Sequence, residues 1–145
     1  MGKALFHLSF PVMDIAQTKT FYVDGLGCVA GRETKDSLIL GLHGHQLVAH
    51  VISEPLPPQR GIYPRHFGLV FDTEADWQAL LDRVQHEQLT FYQQPKHRFL
   101  NSPLEHRTFF LQDPFSNLLE FKFYCHQSAI LGERDYSQVG DATDF

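Results

Sequence analysis

Arg65-His66-Phe67-Gly68-Leu69-Val70-Phe71-Asp72-Thr73 reads as a strand that runs straight into a helix cap. Apolar, branched and aromatic residues fill its middle, and Asp72 or Thr73 caps a helix whose Trp77, Leu80, Leu81 and Val84 recur at i, i+3, i+4 and i+7. Strand patterns follow near residues 90–93, 107–111 and 118–124, and Asp113-Pro114-Phe115-Ser116-Asn117 turns the last pair. The order is βαβββ. Upstream, the same order is found once more. Residues 3–12 are strand-like. Met13-Asp14 then opens a helix with Ile15, Tyr22 and Leu26 at helical spacing, Asp14 as N-cap and Gln17 three residues on. Gly25 and Gly27 stop it, and strands follow at 28–33, 37–42 and 46–52, the last two joined at His43-Gly44-His45.

Between the repeats, Glu54-Pro55-Leu56-Pro57-Pro58-Gln59-Arg60-Gly61 cannot continue a sheet, because three prolines remove backbone donors and hold the chain extended. The fold class expected is therefore α+β, with two tandem βαβββ modules forming one curved, partly closed sheet. Module one covers about 3–53, a linker 54–64 and module two about 65–125, within a single domain of residues 1–127. Residues 128–145 read as a loosely held polar tail, with Glu133, Asp135, Asp141 and Asp144 set against Arg134.

A chain of 145 residues is one domain's worth, long enough to bury a core without a metal or disulfide to hold it. Any metal would then serve function rather than stability. Lys and Arg number 12 against 17 Asp and Glu, a net charge of −5, and no basic block stands out, which argues against nucleic acid as the main partner. Two cysteines, Cys28 and Cys125, are too few and too far apart for a disulfide framework or a zinc cluster, so a reducing cytoplasm fits best. No run has the length of a membrane span, and Met1-Gly2-Lys3-Ala4-Leu5-Phe6-His7 carries no signal-peptide hydrophobic region, so the expectation is a soluble, unprocessed protein.

Phe and His are enriched, at 13 and 9 residues. His7 and His66 occupy matching places in the first strands of the two repeats, within Phe6-His7-Leu8 and Arg65-His66-Phe67. The last strands match as Val48-Ala49-His50-Val51 and Leu118-Leu119-Glu120-Phe121. A carboxylate flanked by Leu118, Leu119, Phe121 and Phe123 must sit at an edge, pair with a cation such as Lys122, or bind a metal. If both repeats share one concavity, His7, His66 and Glu120 converge there. Two imidazoles and a carboxylate with open positions suit a catalytic divalent ion, most characteristically non-haem Fe(II), with Mn(II), Ni(II) and Zn(II) able to use similar donors.

The chain resembles the vicinal oxygen chelate superfamily, which includes glyoxalase I, extradiol catechol dioxygenases, fosfomycin-resistance thiol transferases and bleomycin-sequestering proteins. The resemblance rests on Phe6-His7-Leu8-Ser9-Phe10-Pro11-Val12-Met13-Asp14, Phe21-Tyr22-Val23-Asp24-Gly25-Leu26-Gly27, Arg65-His66-Phe67-Gly68-Leu69-Val70-Phe71 and Asp113-Pro114-Phe115-Ser116-Asn117-Leu118-Leu119-Glu120-Phe121. It implies tandem modules around a metal cleft, with His7, His66 and Glu120 at the ligand positions. Glyoxalase I generally adds a fourth ligand, a carboxylate or Gln, from the last strand of the first module. The residue aligned there is His50. Extradiol dioxygenases carry an acid–base His on that strand, shortly before the second ligand, and His50 suits that role. They also usually place a Tyr on the strand before the carboxylate ligand, where this chain has Phe110, and Ser116 departs from their signature after Asp-Pro-x.

The function expected is that of a metal-dependent enzyme, an Fe(II) dioxygenase of extradiol type that takes a small, catechol-like substrate and O2. The alternatives are a glyoxalase I-like lyase and a small-molecule-sequestering binding protein. Fosfomycin thiol transfer ranks lower, since that branch's K+-binding loop and phosphonate-binding residues are not evident. His50 and His106 are the acid–base candidates. Tyr63, Arg98, Arg107 and Phe110 are the candidate substrate contacts. Members of the family often dimerise, so a homodimer is an option the resemblance leaves open.

Overall fold

Alternation in Ser37-Leu38-Ile39-Leu40-Gly41-Leu42 puts Leu38, Leu40 and Leu42 on one buried face, as a half-covered strand requires. A computed structural model describes residues 2–140 and divides them into two units. The first gathers the residues up to Pro57 with Arg83–Leu89 and Asp113–Asn117. Its strands are β1 (His7–Val12), β2 (Val29–Glu33), β3 (Ser37–Leu42) and β4 (His45–Val51), in the order β1-β4-β3-β2. β1 runs parallel to β4, while β3 is antiparallel to both its neighbours. The β3–β4 hairpin turns through His43 (φ 48°) and Gly44 (φ 83°), the two left-handed residues that a tight turn between twisted strands demands.

Helix α1 (Ile15–Lys19) starts where the sequence places its cap, with Asp14 Oδ2 accepting the Gln17 N–H at 2.7 Å. It passes into a π-helical stretch, Thr20–Gly25, that buries Phe21 and Tyr22. Tyr22 packs on Phe10 at 5.2 Å between ring centroids, and its hydroxyl donates to Asp113 Oδ2 at 2.7 Å. Asp113 also accepts the N–H groups of Phe115 and Asn117 and the Asn117 side-chain amide, each at 2.8 Å. Burial holds the Asp113 carboxyl above its ordinary range, although the donors around it pull the other way. Asp113→Ala removes the acceptor common to all four donors and is expected to cost about 3 kcal/mol, with Tyr22→Phe costing about 1, in denaturant melts. Equal, small losses for both would show that the carboxylate is not the organiser of this turn.

The second unit comprises Pro58–Asp82, Thr90–Gln112 and the described residues from Leu118 onward. Its strands are β5 (Phe67–Phe71), β6 (Phe91–Arg98), β7 (His106–Gln112) and β8 (Leu118–Tyr124), ordered β5-β8-β7-β6 with β5 parallel to β8. Helix α2 (Glu74–His86) is capped by Thr73, whose hydroxyl oxygen accepts the Asp76 N–H at 3.1 Å. Trp77, Leu80, Leu81 and Val84 are buried, as their spacing predicts. Trp77 lies against Phe109, which meets Phe121 and Phe91, and its indole N–H donates to the Phe121 carbonyl at 2.8 Å.

Several boundaries differ from the sequence reading. The expected single curved sheet is realised as two four-stranded sheets, neither closed, because each βαβββ series completes its own ladder by pairing its first strand with its last. β6 extends to Arg98 even though Pro95 lies within it. It is an edge strand with two register shifts, the setting in which a residue without an N–H costs least. His66 stands just before β5, not in it. In the tail, Ser128–Leu131 form a short helix, α3; Asp141 and Asp144 lie outside the described residues. No helix among the described residues is long and apolar enough to cross a membrane.

Candidate metal centre

Strand alternation divides the second sheet into two chemically distinct faces. Phe110 pairs with Glu120, Thr108 with Lys122 and His106 with Tyr124, so these six side chains share one face. Phe109, Phe121, Arg107 and Phe123 share the other, on which Trp77 of α2 packs. Glu120 is 6% exposed. Thr108 Oγ1 donates to its Oε2 at 2.5 Å, and its Oε1 lies 3.1 Å from His66 Nε2 and 3.7 Å from Lys122 Nζ. The ion pair with Lys122 that the sequence allows is thus present, but around a buried carboxylate.

His66 is held from behind. Its Nδ1–H donates to the Ile62 carbonyl at 2.6 Å, and the edge of the ring system meets Phe110 at 5.1 Å between centroids. With Nδ1 committed, Nε2 is the nitrogen that faces Glu120, and the space between the two takes either a proton or a cation. The hydrogen bond to Glu120 raises the His66 pKa over the opposing effect of burial. Burial raises Glu120, but the His66 hydrogen bond, the Lys122 charge and the Thr108 hydroxyl outweigh it and leave the carboxyl below its ordinary range.

Other residues named from the sequence divide between the faces. Tyr63 packs beside Ile62, Phe110 and Leu118 and lies 5.9 Å from the His66 ring. Arg98 pairs with His106 in the β6–β7 ladder and is buried, its Nη2 donating to Gln93 Oε1 at 3.4 Å. Arg107 is a correction: it lies on the opposite face from Glu120 and forms an ion pair with Glu74 of α2 at 2.8 Å, so it does not join this group.

His106 is 5% exposed and packs against Phe99 and Tyr124. Its Nδ1–H donates to the Leu104 carbonyl at 2.9 Å. Burial lowers its pKa, so it is neutral at neutral pH. A depressed histidine contributes stability that is present above the unfolded value, about 6.5, and is lost as pH falls through the folded one. His106→Leu is therefore expected to shrink the loss of stability between pH 7.5 and 5.5, read from urea midpoints. An unchanged loss would show that the acid sensitivity arises elsewhere.

His7 and His50 belong to the first unit. His7 pairs with Gln46 across β1 and β4, and its Nδ1–H donates to Gln46 Oε1 at 2.7 Å. His7 and His66 thus share one arrangement, each with Nδ1 tied to a carbonyl oxygen. His50 needs a correction of register. Glu120 pairs with Gly68, two residues after His66, and the residue that pairs two after His7 is Val48, opposite Ser9. His50 sits opposite Pro11, exposed, about 13 Å along the strand from the level of His7. Val48 offers no donor atom. His45 accepts the Phe6 N–H on Nδ1 at 3.0 Å. Thr108 and Gln46 were missed by the sequence reading. The only signal for Thr108 was its alternation with His106 and Phe110, and nothing marked Gln46.

Within the second unit, His66 Nε2 and the Glu120 carboxylate, each secured at its other polar atom, offer one nitrogen and one oxygen donor of the kind a borderline divalent metal takes. The family model described as the Glyoxalase/Bleomycin resistance protein/Dioxygenase superfamily matches residues 4–121. A solved glyoxalase/bleomycin resistance protein/dioxygenase from Alicyclobacillus acidocaldarius is 36% identical, with a TM-score of 0.82 over 88% of this chain and 96% of that one. The fosfomycin resistance protein FosX of Listeria monocytogenes shares the fold at 12% identity and a TM-score of 0.67, covering 89% and 99% of the two chains. Lactoylglutathione lyase of Agrobacterium tumefaciens does so at 14% identity and 0.62, covering 84% and 94%. No curated protein matches.

Proposed function

Because the chain belongs to the glyoxalase/bleomycin resistance protein/dioxygenase superfamily, we propose that it is a metal-dependent enzyme holding one divalent ion, Fe(II) by preference, on His7, His66 and Glu120. Its reaction is then that of an extradiol-type dioxygenase on a small substrate bearing two neighbouring oxygens. The observation that carries this reading is the buried Glu120, fixed by Thr108 and facing the Nε2 of a histidine whose Nδ1 is already spent on Ile62. When bound, an Fe(II) supplies acidity to the substrate's hydroxyls and one coordination sphere for substrate and O2.

The protein's own groups do the rest. Thr108 holds the carboxylate at the angle its partner needs, and Gln46 and Ile62 fix the two imidazole planes. His106, neutral with its Nδ1–H tied to Leu104, accepts a substrate proton at Nε2. Arg98 binds a substrate anion, and Tyr63 and Phe110 supply an apolar wall. Three donors rather than four favour a dioxygenase over a glyoxalase I-like lyase, since Val48 occupies the place of a fourth ligand. The complete donor set likewise favours catalysis over sequestration.

Anaerobic loading with Fe(II), followed by O2 uptake across a panel of catechols, tests the proposal. The expected result is O2 consumption matched to ring-cleaved product. Turnover of a methylglyoxal–thiol adduct without O2 would replace the dioxygenase with the lyase, and tight substrate binding without turnover of either would make the chain a binding protein.

A further inference from the structure

On the opposite face of the second sheet, away from Glu120, a second group of ligating side chains gathers at the end of the ladder. His97 pairs with Arg107, which places His97 diagonal to Glu105 on the same face. Beyond the His106–Tyr124 pair, the Cys125 N–H donates to the Glu105 carbonyl at 2.9 Å, so Cys125 stands directly across from Glu105. β6 and the residues flanking β7 and β8 thus deliver one nitrogen, one oxygen and one sulfur to a common point. Ligand atoms of His97, Glu105 and Cys125 all lie within 4.8 Å of one another.

The arrangement is built, not incidental. Glu105 Oε2 meets His97 Nε2 at 2.6 Å, and its Oε1 accepts the Asn101 N–H at 3.1 Å, which fixes the carboxylate from behind. Both side chains are largely withdrawn from solvent, at 26% and 19% exposure, whereas Cys125 is exposed and open to an incoming ion. Glu105 also lines an open pocket of about 610 Å³ with Ser102, His126 and Glu133.

We propose that His97, Glu105 and Cys125 form a second metal site, selective for a zinc-class divalent cation and separate from the centre at Glu120. Thiolate, imidazole and carboxylate together match the donors zinc prefers, and three of them leave a fourth tetrahedral position for water. Zinc bond lengths of about 2.0–2.3 Å require donor atoms roughly 3.3–3.8 Å apart, within reach of small side-chain rotations from the separations observed. The ion would displace the proton between His97 and Glu105 and that of the thiol, and would clamp β6, β7 and β8 together at their open end.

Co(II) titration of the full-length chain, followed by optical absorption, tests this, because a thiolate bound to cobalt adds a sulfur-to-metal charge-transfer band that the His7, His66 and Glu120 donors cannot produce. The other cysteine, Cys28, is buried in the first unit. The band should saturate within two equivalents in the wild type and at one in Glu120→Gln, vanish in Cys125→Ser, and need at least tenfold more Co(II) in His97→Ala and Glu105→Gln. Zn(II) should abolish it by competition. Absence of the band, its loss in Glu120→Gln, or its persistence at unchanged affinity in both His97→Ala and Glu105→Gln would overturn the proposal.

Discussion

Exchanging Glu120 for Gln is expected to strip the chain of the proposed divalent ion while leaving it folded. The carboxylate is 6% exposed and carries the only formal negative charge in the donor set, so its loss should weaken Fe(II) binding by at least about 100-fold, beyond the effect of a typical supporting residue. Activity should fall with occupancy. The fold should survive because the amide is isosteric: its oxygen still accepts from Thr108, and its N–H can donate to the Nε2 of a neutral His66. Glu120→Ala lacks that compensation and should cost stability as well. Equilibrium dialysis against Fe(II) and a thermal melt, run on the same preparations, separate the two effects. Full metal content in Glu120→Gln would remove Glu120 from the donor set.

Gly68→Ala is expected to cost about 3 kcal/mol of stability, the upper end of ordinary overpacking, and to spoil the metal centre with it. A Cβ at this position would stand 1.6 Å from the Glu120 carbonyl oxygen and 2.6 Å from its carbonyl carbon. Those are backbone atoms of the paired strand, so no side-chain rotation relieves the clash. β5 must move off β8 at Glu120 itself, the cross-strand partner of Gly68, and Gly68 follows His66 by two residues. Chevron or equilibrium urea melts give the stability, and Fe(II) affinity gives the site. A variant as stable as the wild type would mean that the β5–β8 ladder is looser than its register implies.

How far the sequence could be read depended on what its periodicities encode. Leu38, Leu40 and Leu42, and Trp77, Leu80, Leu81 and Val84, carry period-two and period-3.6 signals that set strand and helix faces, and those faces are where they were expected. Glu120 was legible for the same reason: an acid amid Leu118, Leu119, Phe121 and Phe123 has few places to go. Register was not legible. Moving β4 by two residues against β1 keeps every side chain on its face, so alternation cannot tell whether His50 or Val48 matches Glu120, and only the ladder decides. Arg107 failed differently, since Arg98 and Arg107 look alike in sequence and the register that puts His97 opposite Arg107 sends them to opposite faces. Groups such as the Ile62 carbonyl that orients His66 carry no residue-type signal at all. The cluster of His97, Glu105 and Cys125 is equally invisible to spacing, because a single Cys gives no motif.

Anomalous diffraction at the iron edge, from crystals grown or soaked with Fe(II) under anaerobic conditions, bears most directly on the catalytic assignment. One peak per chain bonded to Nε2 of His7, Nε2 of His66 and a carboxylate oxygen of Glu120, with both Nδ1 atoms still on Gln46 and Ile62, is the predicted result. Iron bound without His7 or without Glu120, or no iron at His66 at full loading, would contradict it.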